Sequence, residues 1–297
     1  MTTVSLCLVD PANEFQQLLH KDADAAARQA GLAVDVVWSG PDLSGQLNVL
    51  RKRLDGQPKP AAVLVMAVRD RGLLNVARDA VRSGAHWIFI NRSEDDLEEL
   101  RREFPSVALS CVCADEVETG RIQGRLIAKL LPAGGKVLHV EGTRRSLASK
   151  DRTAGTVEVL PGRNIELMSL EAGWTRDEAE AAVRGWLSVA ARANVKLDLV
   201  ACHTDTIAIG AIAALRAVAA EQHLPELAKV RVVGCDGTPA VGRAMVADGR
   251  LAATVVLPRS AGPAVEIVAG VLAGRPRPAA LVMLKGEPLL GPDAARG

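Results

Sequence analysis

The sequence predicts an α/β fold in two lobes, each built on a parallel β-sheet with helices on both faces. The first indication is a regular alternation of short apolar runs with helix-length segments along the whole chain. The second is that these runs are nearly continuous in apolar residues, which is typical of strands buried on both faces. The third is the length of 297 residues, which suits two domains of roughly 100–150 residues each.

The apolar runs give ten predicted strands, and apolar residues recur at helical spacing between them. Gly31, Gly84 and Gly249 each stand where a helix ends before the next strand, a position that favours glycine because the backbone there is left-handed. The predicted strands are 4–9, 33–38, 61–66, 86–90, 107–113, 136–140, 165–170, 197–202, 230–234 and 251–256, and segment 271–284 adds a further helix end and strand.

Two breaks divide these strands, since ten are many for one sheet. Asp115 can cap a helix, with Glu118 completing a capping box, and the segment 257–263 interrupts the pattern again with two prolines and a glycine. The breaks predict one lobe of residues 1–113 with 258–282 and another of residues 114–257 with 283–297, joined by three crossing segments. A cleft between the carboxyl edges of two sheets is a favoured small-molecule site.

Composition argues against several classes of function. The net charge of +1 gives no global basic field, and no helix-turn-helix segment is present, so we expect no nucleic-acid binding through this chain. The five cysteines are scattered in apolar runs, and Cys111 and Cys113 have no second Cys or His pair to complete a metal site.

No cofactor or catalysis is expected either. The first loop lacks the glycine pattern of a nucleotide site, and nothing in the sequence assembles a nucleophile, a base and an orienting group. The chain begins directly in a predicted strand without an export signal, which predicts a cytoplasmic protein if the chain is full length.

The most informative segment is 230–256, an apolar strand that breaks into a glycine-rich turn. Asp236 stands at the carboxyl end of this strand, where open α/β sheets bind ligands. The alternative is that Asp236 only holds the loop by accepting backbone N–H bonds. Thr238 is expected to cap a helix that starts at Pro239.

Aromatic and cationic residues follow other strands. Trp174 precedes a predicted capping box and offers a surface on which a sugar ring stacks, or it acts as a hydrophobic staple. Arg92 supplies a fork of donors after the fourth strand, or it forms a surface ion pair with Glu94 or Asp95. Arg152, inside a helix, is expected to reach inward.

Caps account for other polar residues in these loops. Asn13 or Asp10 is suited to cap the first helix, just inside which Phe15 can present its ring. Thr204 or Asp205 is suited to cap the helix 206–220.

Taken together, these loops resemble the type I periplasmic sugar-binding proteins of the ribose-binding type and the effector domains of lac-repressor-type regulators. The resemblance covers nearly the whole chain. It implies two Rossmann-like lobes that close by a hinge on one small ligand. The motifs that carry it are VVGCDGTPAVGRAMVADGRLAATV, residues 114–121, residues 150–152 and HTDTIAIGAIAAL. The ligand contacts that it implies are Asn13, Phe15, Asn91, Arg92, Arg152, Trp174, Thr204 and Asp236.

The resemblance also has departures, which leave the ligand open. Gln16 stands where the family has a second aromatic residue, and Asn91 stands where it has an aspartate; Met66, Cys235 and Leu257 also differ from the pattern. Loss of the aspartate predicts one positive charge in excess in the pocket, and hence a sugar or polyol ligand with a carboxylate or phosphate.

An alternative keeps the pocket neutral. If Glu14 or Asp10 turns into the cleft, a plain pentose or hexose is expected to fit.

The resemblance therefore predicts a non-catalytic solute-binding protein that delivers a monosaccharide, polyol or acidic sugar derivative to an ABC-type transporter or a sensor. The alternative is a cytoplasmic effector-binding regulator without its helix-turn-helix. The family implies a periplasmic location, and a monomer or weak dimer is expected.

Overall fold

The computed structural model describes residues 1–92, 97–192 and 196–292. The chain divides into two compact units. Unit 1 consists of Met1–Ala114 with Pro258–Leu284, and unit 2 consists of Asp115–Leu257 with Lys285–Gly297. In the described ranges no helix combines the length and apolar character that crossing a membrane requires.

Unit 1 is built on a parallel sheet with the strand order β11-β5-β4-β3-β1-β2. Side chains alternate between its two faces, so that Trp87 and Phe89 of β4 enter one core cluster and Ile88 and Ile90 enter the other. The elements are β1 (Thr3–Leu8), α1 (Glu14–Gln29), β2 (Ala33–Trp38), α2 (Leu43–Asp55), β3 (Ala62–Val65), α3 (Leu74–Arg82), β4 (His86–Ile90), α4 (Leu97–Glu103), β5 (Leu109–Ala114), and, after unit 2, α10 (Ala261–Leu272) and β11 (Leu281–Leu284).

Unit 2 repeats this plan with the strand order β12-β10-β9-β8-β6-β7. Its edge strand β12 runs antiparallel to β10, and the other pairs are parallel. The elements are α5 (Glu116–Leu130), β6 (Gly135–Glu141), α6 (Leu147–Glu158), β7 (Ile165–Glu171), α7 (Arg176–Arg192), β8 (Leu199–Cys202), α8 (Asp205–Glu221), a 3₁₀ turn (Pro225–Lys229), β9 (Arg231–Asp236), a π-helical turn (Pro239–Arg243), α9 (Ala244–Ala247), β10 (Ala253–Val256) and β12 (Glu287–Leu290).

The predicted α/β class with parallel sheets is confirmed, and one strand was missed. The strand β12 is short and half exposed, and Pro288 interrupts it, so it shows no continuous apolar run. The predicted helix stops are confirmed, because Gly31, Gly84 and Gly249 have φ angles of 69°, 96° and 78°.

The predicted cap at Thr238 is wrong. The turn that follows is π-helical, with the Arg243 N–H donating to the Thr238 carbonyl at 2.9 Å, and the Thr238 side chain makes no capping bond. The capping box at Asp115 is half formed: Asp115 accepts from the Glu118 N–H at 2.9 Å, but the Glu118 carboxylate binds Arg121 and Arg125 instead of returning to the cap.

Two glycines let helices α5 and α6 approach closely. A Cβ atom on Gly120 would lie 2.1 Å from the Arg152 carbonyl oxygen, and one on Gly155 would lie 2.0 Å from the Val117 carbonyl oxygen. Both distances are far below van der Waals contact, so any side chain at either position would push the helices apart. This approach places Arg152 of α6 beside the first turn of α5.

We expect Gly155→Ala to lower the free energy of unfolding by about 1–3 kcal/mol or more, because the added methyl group overpacks a backbone contact. Gly185→Ala is the matched control, since a Cβ there meets nothing within 4 Å and alanine is the better helix former by about 1 kcal/mol. Urea denaturation measures both. Equal stability of Gly155→Ala and the wild type would contradict the close approach.

Candidate functional site

In unit 1, the first loop is organised by helix caps. The Asn13 side chain caps α1 by accepting from the Gln16 N–H at 3.1 Å, while Asp10 accepts from Ala12 at 2.8 Å. The buried Gln16 accepts from the backbone N–H of Val9 at 2.8 Å and of Asp10 at 3.0 Å. Gln16 therefore holds the loop in shape, which accounts for a polar residue at this position.

The aromatic ring expected in this loop is half-buried. Phe15 lies in the first turn of α1 and packs against the core cluster that contains Leu8 and Ile90. The partly exposed ring therefore leaves apolar surface beside the cap.

Asn91 and Arg92 follow the buried strand β4. Asn91 has a φ of 69°, and its N–H donates to the Val112 carbonyl at 2.9 Å. The Arg92 guanidinium lies 3.9 Å from the Asp70 carboxylate, a partner 22 residues away that no local spacing indicates. Glu94 and Asp95, the partners expected for a surface ion pair, lie outside the described residues.

In unit 2, Asp236 occupies the same place in the sheet. The strands β4 and β9 are both third in their six-strand order among the described strands; Asn91, directly after β4, has a φ of 69°, and Asp236, the last residue of β9, has a φ of 118°. Asparagine and aspartate adopt such positive φ angles more readily than most other non-glycine residues. The Asp236 carboxylate accepts a hydrogen bond from the backbone N–H of Asp205, at the start of α8.

Asp205 holds the loop that carries Asp236. Its buried carboxylate accepts from the Gly237 N–H at 2.7 Å and from the Thr254 hydroxyl at 2.7 Å. A Cβ on Gly234 or Gly242 would lie 2.1 Å or 2.0 Å from these carboxylate oxygens, so only glycine leaves room for them. Asp205 therefore holds the loop that follows β9, while Asp236 itself accepts one backbone N–H bond, as its loop-holding alternative expects.

The two acids act on each other. Burial raises the pKa of Asp236 well above its ordinary value, and the charge of Asp205 raises it further, whereas Arg152 lowers it. Asp236 is half-buried as a residue, and hydrogen-bond donors brought by a ligand would stabilise its carboxylate form. Thr204 caps α8 by accepting from the Ile207 N–H at 3.0 Å.

Arg152 reaches inward as expected, and its charge is balanced. Its Nε and Nη2 atoms donate to the two carboxylate oxygens of Glu116 at 2.6 and 3.1 Å, and Nη1 donates to the His203 carbonyl. Burial alone would lower the pKa of Arg152, but the charge of Glu116 raises it above the ordinary value. The sequence predicted one positive charge in excess in the pocket. That prediction is wrong for Arg152, because it counted this guanidinium without the Glu116 carboxylate that pairs with it. Arg144 and Arg145 are exposed.

Trp174 is both anchored and partly exposed. The predicted capping box forms, with the Glu178 carboxylate accepting from Thr175 N–H at 3.1 Å and from Trp174 N–H at 3.2 Å. The indole stacks on His203 at a centroid distance of 6.4 Å and an interplanar angle of 30°. A Cβ on Gly142 would lie 2.4 Å from the ring. The ring is therefore held in one orientation with part of its surface accessible.

A buried polar network that sequence reasoning missed lies behind this ring. The His139 ring nitrogens lie 3.2 Å from Gln123 Oε1 and 3.4 Å from Glu141 Oε1. The Gln123 amide nitrogen donates to the Cys202 carbonyl at 2.8 Å, so the Gln123 atom that faces His139 is its acceptor oxygen. Burial lowers the pKa of the neighbouring His203 well below its ordinary value, and the charges of His139 and Arg152 add to this.

The chain is similar to several sugar-binding proteins of import systems. It is 25% identical to the D-ribose/D-allose-binding protein of Pseudomonas aeruginosa over 258 residues, which are 84% of this chain and 75% of that protein. It is 31% identical to the ribose import binding protein of Salmonella typhimurium over 169 residues, which are 56% of this chain and 53% of the relative.

Solved structures share the fold. The periplasmic binding protein component of the arabinose ABC transporter from Shewanella sp. ANA-3, bound to L-arabinofuranose, superposes with a TM-score of 0.83 and 24% identity over 99% of this chain and 94% of its own. The family model described as periplasmic binding protein domain matches residues 4–274. The chain therefore belongs to the periplasmic binding protein family.

Proposed function

We propose that this protein binds one sugar or polyol without transforming it and delivers it to an ABC-type transporter or a sensor in the periplasm. The names of its relatives support a sugar ligand and an import system, and favour this function over that of a transcriptional regulator. Eight residues are proposed to contact the ligand, four from each unit: Asn13, Phe15, Asn91 and Arg92, and Arg152, Trp174, Thr204 and Asp236.

The observation that carries the proposal is the arrangement around Asp236. A partly exposed carboxyl group with a raised pKa lies at the carboxyl end of a strand, within electrostatic reach of the buried guanidinium of Arg152. The same unit places the anchored ring of Trp174 at the end of β7. Charge-assisted hydrogen bonds satisfy sugar hydroxyls, and an aromatic surface covers the C–H face of a sugar ring.

We expect Asp236→Asn to weaken sugar or polyol binding roughly ten- to a hundredfold, because a charge-assisted hydrogen bond contributes about 1.5–3 kcal/mol. Asparagine keeps the shape and tolerates positive φ, so the loop is preserved. Titration calorimetry with pentoses, hexoses and inositols measures the affinity, and recovery of the ligand unchanged by chromatography tests for catalysis.

Asp248→Asn is the control, since Asp248 is exposed and pairs with Arg250 at 2.7 Å after α9. If both variants bind as the wild type does, Asp236 contributes nothing to recognition. If the wild type binds none of these compounds, or consumes one of them, the proposed function is wrong.

A further inference from the structure

We propose that Glu116 sets the charge of the binding surface on unit 2, so that the protein accepts neutral polyhydroxylated ligands and rejects their carboxylate and phosphate derivatives. The inference rests on the proposed function and deepens it by naming the ligand class and the residue that selects it. Glu116 acts through Arg152 and is in this sense a positioning residue.

The first support is the geometry of the ion pair. The Glu116 carboxylate engages Nε and Nη2 of Arg152 in a two-point contact, and the His203 carbonyl takes Nη1. The Arg152 and Glu116 side chains are 8% and 12% exposed. A guanidinium has five N–H groups, of which this arrangement uses three, and the Glu116 carboxylate balances the positive charge within unit 2.

The second support is the way the fold keeps Glu116 in place. Glu116 is the first residue of α5, directly after the capping residue Asp115, where the helix dipole stabilises a negative charge. The glycine contacts at Gly120 and Gly155 bring α5 and α6 close enough for the pair to form. Removal of the carboxylate would therefore leave the buried Arg152 without its two-point ion-pair partner.

The third support is the balance of charge around Arg152. The charges of Glu116 and Asp236 raise the pKa of Arg152. The charges of Asp205 and Glu116 in turn raise the pKa of Asp236. The neighbouring Asp151 also lies close to these negative charges. Burial raises its pKa, the charges of Glu116 and Asp115 raise it further, and Lys150 lowers it by a smaller amount.

The consequence is a surface that disfavours ligand anions. A carboxylate or phosphate brought next to Asp236 adds negative charge where negative charge is already destabilised. A hydroxyl group brings a donor without a charge. The chemistry of these groups therefore selects neutral sugars and polyols, contrary to the acidic ligand that the sequence predicted.

The test compares matched ligands on the wild type and two variants. The probes are neutral sugars and inositols beside the corresponding sugar acids and sugar phosphates, with dissociation constants from titration calorimetry at low salt. For the wild type we expect neutral ligands to bind and each acid to bind at least about tenfold more weakly than its neutral counterpart, since like charges a few ångströms apart cost more than 1.4 kcal/mol near a protein surface.

Glu116→Gln removes the charge with little change of shape. We expect the ratio of acid to neutral affinity to rise about tenfold or more, because one of the negative charges around Arg152 is then removed from the binding surface. Glu118→Gln is the matched control: Glu118 lies in the same turn of α5 but pairs with Arg121 and Arg125. Its affinity ratio should equal that of the wild type. Circular dichroism establishes that each variant is folded at the temperature of the titration.

The outcomes separate the two hypotheses. Preference of the wild type for a sugar acid or phosphate would overturn this inference and leave the proposed function standing, and this result does not depend on any variant. The same affinity ratio in Glu116→Gln and Glu118→Gln would overturn the role of Glu116. Failure of the wild type to bind any sugar, polyol or derivative would overturn the proposed function, and the inference with it.

Discussion

Replacement of Asp205 by alanine is expected to lower the free energy of unfolding by about 3–5 kcal/mol. The change leaves the Gly237 N–H and the Thr254 hydroxyl without their acceptor in a buried place, and each such group costs about 1–3 kcal/mol. The shorter side chain also leaves a cavity where the Asp205 carboxylate lies between the glycines, and a buried cavity lowers the free energy of unfolding further. Loss of the charge relieves Asp236, which offsets a part of the cost.

Chemical denaturation measures this effect against two comparison variants. Asp177→Ala removes an aspartate from the first turn of α7, another helix of 17 residues, but Asp177 is exposed, so a loss of at most about 1 kcal/mol is expected. Asp205→Asn keeps the volume and still presents one acceptor oxygen, so its stability should lie between those of Asp205→Ala and the wild type. Equal losses in Asp205→Ala and Asp177→Ala would show that the buried contacts contribute little.

The positions of most strands were predictable because each strand carries a short run rich in apolar residues. The predicted strands 33–38 and 86–90 have the observed bounds, and the strand predicted at 165–170 ends one residue later than expected. The edge strands β2 and β7 are also only partly buried, but each has six or seven residues, most of them apolar. The strand β12 has only four residues, of which Glu287 and Pro288 are the first two, so this signal is absent. The pattern therefore reports a local run of apolar residues and not the burial of the strand.

Helix caps were predictable for a related reason, since a cap involves residues only three positions apart. Asn13, Asp115 and Thr204 each accept from the N–H three residues later. Thr238 has the same local sequence signal, but the wide π-helical turn that follows changes the backbone, so the expected bond does not form. Local spacing predicts a cap only when the first turn is an ordinary α-helical turn.

The electrostatics of the site were not predictable from the sequence. Arg152 and Glu116 are 36 residues apart, Arg92 and Asp70 are 22 apart, and Thr254 lies 49 residues from Asp205. No periodicity relates such pairs, because packing between separate elements brings them together. The residue types at the site could thus be named from the sequence, whereas their net charge required the structure.

The buried Glu141 makes a contribution to the free energy of unfolding that depends on pH. Burial would raise the pKa of Glu141, but its contacts with His139 and Ser169 and the nearby Arg144 guanidinium lower it to about 2, from an ordinary value of 4.5. A carboxyl group whose pKa is lower in the folded state stabilises the fold above its unfolded pKa, and this contribution disappears as the pH falls through the folded pKa. The shift corresponds to about 3 kcal/mol at neutral pH.

We therefore expect Glu141→Gln to be about 3 kcal/mol less stable than the wild type at pH 7, with the gap narrowing as the pH falls from about 4.5 toward 2. Urea denaturation across this range measures it. Because other carboxyl groups titrate equally in both proteins, the difference isolates Glu141. Glu171→Gln is the control: Glu171 stands opposite Glu141 in the register of the neighbouring strands β6 and β7, but it is exposed. Its gap should be small at every pH, and a gap for Glu141→Gln that stays constant with pH would contradict the lowered pKa of Glu141.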